Sequence, residues 1–317
     1  MPAATSRQTY KILLAFAIIY FVWGSTFLAI RVGVQEVPPF LLAGIRFVIA
    51  GVALFLWSVA RGEGAPSMRH WASAFLLGVT VFILDYGLVF WAEQRVPSGL
   101  TAVMLSLNAL FMALGEIFIL RTQTLTARLS VALLLGIAGV AVLVSRTLHV
   151  GGAPIDRVGA IALIIASIGW SVSSSLTRKL PLPSSKTMSS GIQMLAGGFL
   201  LLACAGALGE FRAFHPAQVS RAAWIALAYL IVAGSIVAYT AYIWLLHHES
   251  PTKVGTYAYV NPVIAVLLGY FFAGEPLGLR TILGTLCVLI SVVVITTTPK
   301  RKPAAAFPSK DFEPASE

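Results

Sequence analysis

Two charged residues stand well inside long apolar stretches of the chain, Arg46 and Asp85. Ionisable groups are costly in hydrocarbon, and those that are kept usually pair with one another or mark a path for substrate or protons. Arg46 lies about eight residues into the stretch 39–60, and Asp85 about six residues from the end of the stretch 71–91. At a helical rise of ~1.5 Å per residue these are depths of roughly 12 Å and 9 Å. Matching depths on consecutive segments predict an ion pair. Three roles stay open for it: a fixed structural pair, Asp85 as a proton carrier, or Arg46 as the anchor of a substrate carboxylate. Glu116, a turn before Arg121, reads as a snorkelling or paired side chain near the end of its stretch.

Uncharged polar groups and rings add to this set. Asn108 and Asn261 fall near the middle of two further stretches, where an amide either bonds across helices or faces a polar cavity. Pro262 removes the amide that would bond the Ala258 carbonyl, so a kink is expected there. Trp23, Trp170, Tyr86, Tyr239, Tyr242, Tyr257 and Tyr259 supply aromatic surface inside stretches, whereas Trp71, Trp91, Trp224 and Trp244 lie at ends and fit an interfacial belt. Trp23 and Trp170 each stand beside Gly and Ser, as a cavity wall or as helix packing. The candidate substrate-binding residues are Trp23, Arg46, Tyr86, Asn108, Trp170, Gln193, Tyr239, Tyr257 and Asn261, with Asp85 as the candidate for proton coupling. Such a lining suits amphipathic amino-acid-like or drug-like solutes, and rings can hold cations.

Several chemistries lack their residues. An intramembrane aspartyl protease needs two buried Asp, but only Asp85 is inside a stretch; Asp156 and Asp311 lie outside. The five His, at 70, 149, 215, 247 and 248, sit in loops or at stretch ends, out of reach of a serine nucleophile at membrane depth. Cys204 and Cys287 are isolated in apolar runs, which leaves no disulfide framework or zinc spacing. A phosphate-binding loop of the G-x-x-x-x-G-K-[ST] type does not occur. The net charge of +10 comes from scattered single residues rather than a stripe that tracks phosphates, so nucleic acid is not an expected partner. The expectation is a protein that is not an enzyme and needs no cofactor. Its partners are a small-molecule substrate, the lipid bilayer and, as the candidate coupling ion, protons.

These residues must be held by membrane helices. Of 317 residues, 58% are hydrophobic and 11% charged, with mean hydropathy +0.88; soluble domains carry about 25% charged residues. Apolar stretches fall near 12–30, 39–60, 71–91, 98–120, 129–145, 158–177, 188–208, 223–245, 253–273 and 279–297. Each approaches the ~20 residues that cross a bilayer, and the first is longer than the core of a signal peptide. With both termini in the cytoplasm, 14 Lys and Arg fall in inside segments and 7 in outside ones, a bias that favours this orientation.

The chain also repeats itself. Residues 23–51 slide onto 170–198 without a gap, bringing Trp23 to Trp170, Arg31 to Arg178, Gly44 to Gly191 and Gly51 to Gly198. Residues 71–91 slide onto 224–244, bringing Trp71 to Trp224, Tyr86 to Tyr239 and Trp91 to Trp244. A repeat of five helices forces the second copy to cross the membrane in the opposite sense. The expected fold is an all-α membrane protein of ten transmembrane helices in a five-plus-five inverted repeat. Residues 1–146 form the first repeat, 147–298 the second and 299–317 a disordered cytoplasmic tail. Inverted repeats with a site at their midplane interface are a transporter architecture, because exchanging the conformations of the halves moves the opening to the other face. The other class open to such a bundle is a non-transporting membrane receptor or chaperone.

The stretch from Trp23 to Arg31, followed by Gly44-Ile45-Arg46-Phe47, resembles the first half of EamA-type permeases of the drug/metabolite transporter superfamily. Ser250-Pro251, then Tyr257 through Pro262, then Gly274-Glu275-Pro276-Leu277, is similar to the second half. The likeness covers residues 12–297 and implies ten helices, cytoplasmic termini, and export of amino acids, metabolites or drugs across a bacterial inner membrane. One departure is that Arg121 stands where the second half has Glu275, so the Gly-Glu turn is missing from the first half.

Overall fold

A computed structural model describes residues 2–115, 117, 125–144, 156–177, 179–248, 254 and 256–297. The Glu116–Arg121 pairing, Arg178 and the tail from residue 299 lie outside them. In hydrocarbon every backbone amide must bond within its own segment, and the apolar stretches accordingly form helices. They are α1 (Pro2–Val34), α2 (Pro39–Ala60), α3 (Met68–Ala92), α4 (Ser98–Leu114), α5 (Ala127–Val144), α6 (Arg157–Thr177), α7 (Lys186–Ala207), α8 (residues 221–248), α9 (Tyr257–Ala273) and α10 (Leu279–Thr297). No strand occurs among the described residues. Six of the helices are long and apolar enough to cross a membrane, namely α1, α2, α3, α6, α7 and α8, and the other four are shorter apolar helices. Large apolar side chains face outward around the bundle, among them Phe21 (67% exposed) and Phe272 (76%), as lipid contact requires.

Three helices depart from regular winding. α3 is π-helical over Gly78–Gly87 and α8 over Leu230–Val237, and α4 is interrupted at Ser106 and Leu107. α9 contains Pro262 within its length and ends at Gly274, whose φ of 63° is the left-handed C-cap conformation that glycine adopts freely.

The tightest packing joins α2 to α7 through glycines. A Cβ on Gly51 would lie 2.7 Å from the Leu195 amide nitrogen, and one on Gly198 would lie 2.8 Å from that of Val48. A Cβ on Gly44 would lie 2.7 Å from the Leu202 side chain, and one on Gly191 would lie 2.9 Å from the Phe55 amide nitrogen. Adding 147 to the α2 member and subtracting it from the α7 member turns each contact into the other, the same shift that takes Trp23 to Trp170. α5 and α10 repeat the pattern with a shift of 148. Gly136 meets Ser291, Leu143 meets Gly284, and Gly139 meets Cys287, its own counterpart. Reciprocity of this kind is what a local two-fold axis produces. Around the two pairs, α1 packs on α8 and α9 while α6 packs on α3 and α4. Between bilayer-exposed helices the driving force is close dispersion contact, so small residues set the approach.

The turns 35–38, 93–97, 208–220 and 274–278 gather at one end of the bundle, called distal because α1 runs toward it from the N-terminus. Val37 (3% exposed), Val96 (0%) and Ser98 (0%) are sealed there.

Candidate functional site

Arg46 sits on α2 two turns below the distal end and is 3% exposed. Its Nε donates to Ser235 Oγ at 2.9 Å, and its Cζ lies over the rings of Phe47 (4.7 Å), Tyr86 (5.7 Å) and Phe90 (5.8 Å). Its Nη1 is buried without a hydrogen-bond partner. Ser235 belongs to the π-helical part of α8, next to Gly234, whose carbonyl accepts the Trp23 indole N–H at 3.1 Å. Gly234 is closely packed, since a Cβ there would stand 3.3 Å from Arg46 Nη2 and 3.0 Å from Thr26. The wide turn thus delivers one backbone acceptor to α1 and one hydroxyl to α2.

The expected Arg46–Asp85 ion pair is absent; no ion pair joins the two among the described residues. Asp85 is 5% exposed, and its Oδ1 is buried with no hydrogen-bond partner. The Arg46 guanidinium lies over the Tyr86 ring instead. Equal depth fixes only the height of two residues. Tyr86, adjacent to Asp85 in sequence, takes the direction that faces α2 and occupies the place beside the guanidinium.

The aromatic residues form two groups. Trp23, Tyr242 and Tyr257 meet with ring centroids 5.1–6.0 Å apart, and Tyr239 joins them at 6.3 Å from Tyr242. Tyr86 gathers Phe47 (4.6 Å), Phe82 (5.8 Å) and Trp170 (6.4 Å). The two tryptophans therefore face ring partners on α3, α8 and α9 rather than the perimeter. Tyr239 also accepts a hydrogen bond from the Ser190 hydroxyl. Asn261 with its amide nitrogen turned inward donates to the carbonyls of Tyr20 (3.2 Å) and Tyr257 (3.3 Å), tying α9 to α1. Gln193 is committed to its own helix through the Ser189 carbonyl (3.1 Å) and hydroxyl (2.9 Å). Asn108 follows the interruption of α4 and keeps a buried, unpartnered Oδ1. Trp23, Tyr239 and Tyr257 are brought together, as are Arg46, Tyr86 and Trp170; Gln193 and Asn108 join neither ring group.

Sequence reasoning passed over Ser235, Glu93 and three acidic clasps at the distal end. Glu93 is 0% exposed with both carboxylate oxygens unpartnered, while Arg31 donates to its main-chain carbonyl. Glu275 accepts from Ser98 N (2.6 Å), Ser98 Oγ (2.8 Å) and Gly99 N (3.0 Å). Glu210 accepts from Leu41 N at 2.8 Å, and Glu36 from Ser220 N (2.5 Å) and Oγ (2.7 Å). Each carboxylate satisfies the free amides that begin a helix distant in sequence. The amide and hydroxyl of Ser220 hold Glu36 below the usual carboxylate range. Burial pushes Glu210 up, against the pull of the Leu41 and Phe40 amides. No cluster of metal-ligating side chains occurs among the described residues.

The EamA-like transporter family model matches the chain over residues 10–145 and 157–297. Similar proteins include the uncharacterized inner membrane transporter YedA of Escherichia coli strain K12, 36% identical over 292 residues and 92% of each chain. Protein PecM of Dickeya dadantii strain 3937 is 26% identical over 276 residues, 86% of this chain and 88% of its own. A chain in a crystal structure shares the fold, with a TM-score of 0.61 at 22% identity over 91% of this chain and 98% of its own.

Proposed function

The chain belongs to the EamA-like transporter family and is a multi-pass membrane transporter; on that premise we propose that it exports small metabolites, amino acids or drug-like solutes across a bacterial inner membrane by alternating access. Ten spans run in two inverted halves, with both termini cytoplasmic and the distal end periplasmic. The observation that carries this reading is the reciprocal packing of α2 on α7 and of α5 on α10, since halves that make interchangeable contacts can exchange conformations. The solute binds between the two ring groups. The unpartnered Nη1 of Arg46 takes a carboxylate or another acceptor, and the rings of Trp23, Tyr86, Trp170, Tyr239 and Tyr257 take the apolar body. Asp85 is the coupling residue, because a buried carboxyl without a fixed cation is free to gain and lose a proton during the cycle.

The test is flux in proteoliposomes. Purified protein should exchange labelled solute across the bilayer and accumulate it against its gradient when a pH gradient is imposed. Asp85→Asn keeps the shape and hydrogen-bonding capacity but not the titration, so it should leave exchange intact and remove accumulation. Accumulation by the variant equal to the parent's would rule out proton carriage by Asp85. Absence of any flux from the parent would sink the transport reading itself.

A further inference from the structure

A second buried acid has no part in that mechanism. Glu93 ends α3 at the distal end, fully buried, and neither carboxylate oxygen has a hydrogen-bond partner. A charge in that setting would be desolvated and unsatisfied, so the neutral form is favoured. Burial raises the affinity of Glu93 for its proton and Glu275 adds to this, while Arg31 and Arg46 oppose it. These are the charged groups that face it, from α1, α2 and the turn before α10. α6, which also packs on this end of α3, contributes Asp156, whose carboxylate is taken by the Gly159 amide at 2.7 Å. On the acid's own turn, Arg95 lies over the Trp91 ring at 4.4 Å.

Two further features bear on what ionisation would do. The Arg31 guanidinium already sits on Glu93, bonded to its main-chain carbonyl rather than its carboxylate. A charge formed on the side chain therefore has a cation one side-chain rotation away. The turn 93–97 leads directly into Ser98 and Gly99, whose amides the Glu275 clasp holds. A shift of that turn strains the clasp.

We propose that Glu93 is a protonation site of the transport cycle, neutral while the distal face is closed, as here, and ionised and paired with Arg31 when that face opens. Opening releases the carboxyl proton to water on the distal side, and closing takes one up from it. Acidic medium at that face therefore favours the closed state. The proposal rests on the transport reading for its purpose, but its test needs no substrate.

The full-length protein with Cys204 and Cys287 replaced by Ala would carry Val37→Cys as a reporter, since Val37 is 3% exposed at the distal face. Its labelling by a membrane-impermeant maleimide is followed against outer pH. Each rate is divided by that of Gln218→Cys, an exposed position on the same face, to remove the thiol's own pH dependence. Relative labelling should rise with pH in the parent and stay low and flat in Glu93→Gln. A rise in Glu93→Gln matching the parent's, or a flat parent, overturns the proposal. If Glu93→Gln does not fold, Glu93→Asp decides: the rise should persist with a displaced midpoint, and an undisplaced midpoint overturns the proposal. Labelling that follows this pattern in a parent without solute flux would leave the protonation site standing and remove the transport function.

Discussion

Helices α2 and α3 and their counterparts α7 and α8 carry the same packing devices and different chemistry. Both pairs approach through glycines, Gly44 and Gly51 on one side and Gly191 and Gly198 on the other. Both contain a π-helical turn, at Gly78–Gly87 and at Leu230–Val237, with a ring-clustering tyrosine nearby, Tyr86 and Tyr239. Where the first pair has Arg46, Asp85 and Glu93, the second has Gln193, Ala238 and Leu246. A reciprocal contact needs both of its members, so packing residues must be kept in both halves. A buried charge has no such need of a counterpart, since Arg46 bonds the Ser235 hydroxyl of the other half. The glycine contacts are thus duplicated, and Arg46, Asp85 and Glu93 stand in one half without charged counterparts in the other.

The largest expected effect comes from breaking the shared part. Gly51→Leu drives a side chain into the Leu195 backbone, and overpacking of this kind costs about 3 kcal/mol. Gly198→Leu should cost the same against Val48, and thermal unfolding in detergent compares the two. A tolerated substitution on one side only would break the equivalence of the halves. The next effect sharpens the unshared part. Arg46→Gln makes α2 resemble α7 at this position and removes the proposed anchor. Loss of a charge-assisted hydrogen bond costs about 2 kcal/mol, so a carboxylate solute should bind roughly 30-fold more weakly while its methyl ester is little affected. Isothermal titration with the two compounds checks this, and equal losses for both would make Arg46 structural. Gln193→Arg should not restore the difference.

The smallest effect concerns the distal clasps. Glu36 is depressed below 4.5, the ordinary glutamate value, by Ser220. The stability it contributes is therefore fully present above that value and lost as pH falls through the lowered one. The drop in melting temperature of the parent across that acidic window should exceed that of Glu36→Gln by a small margin. Identical curves would mean the clasp does not hold α8. The residue 147 positions on is Pro183, which has no carboxylate, so the second half places its clasps elsewhere, at Glu210 and Glu275.

The bounds of α2, 39–60, were legible because a long apolar run between a Pro pair and Arg61 leaves little choice. The ring positions were legible because the shift from Tyr86 to Tyr239 survives in sequence. The π-helical turns and the interruption at Ser106–Leu107 were not, because a helix apolar on every side shows no periodicity to reveal a change of winding. The Arg46–Asp85 pair failed for lack of azimuth, since depth along a helix says nothing of which neighbour a side chain faces. Glu93 escaped notice because it stands two residues past the apolar run 71–91 and reads as a solvated loop residue. Its burial comes from tertiary packing around the turn, including Val96 against Gly159, which no local pattern announces.

Gly139 against Cys287 has a further meaning. In a dimer of identical subunits, a residue on the symmetry axis meets itself, and two copies of any bulky side chain would compete for one space. Joining both copies in one polypeptide lifts that restriction. One side can stay small while the other grows to fill the gap. The pairing of glycine with cysteine at this point is one that two identical halves could not make.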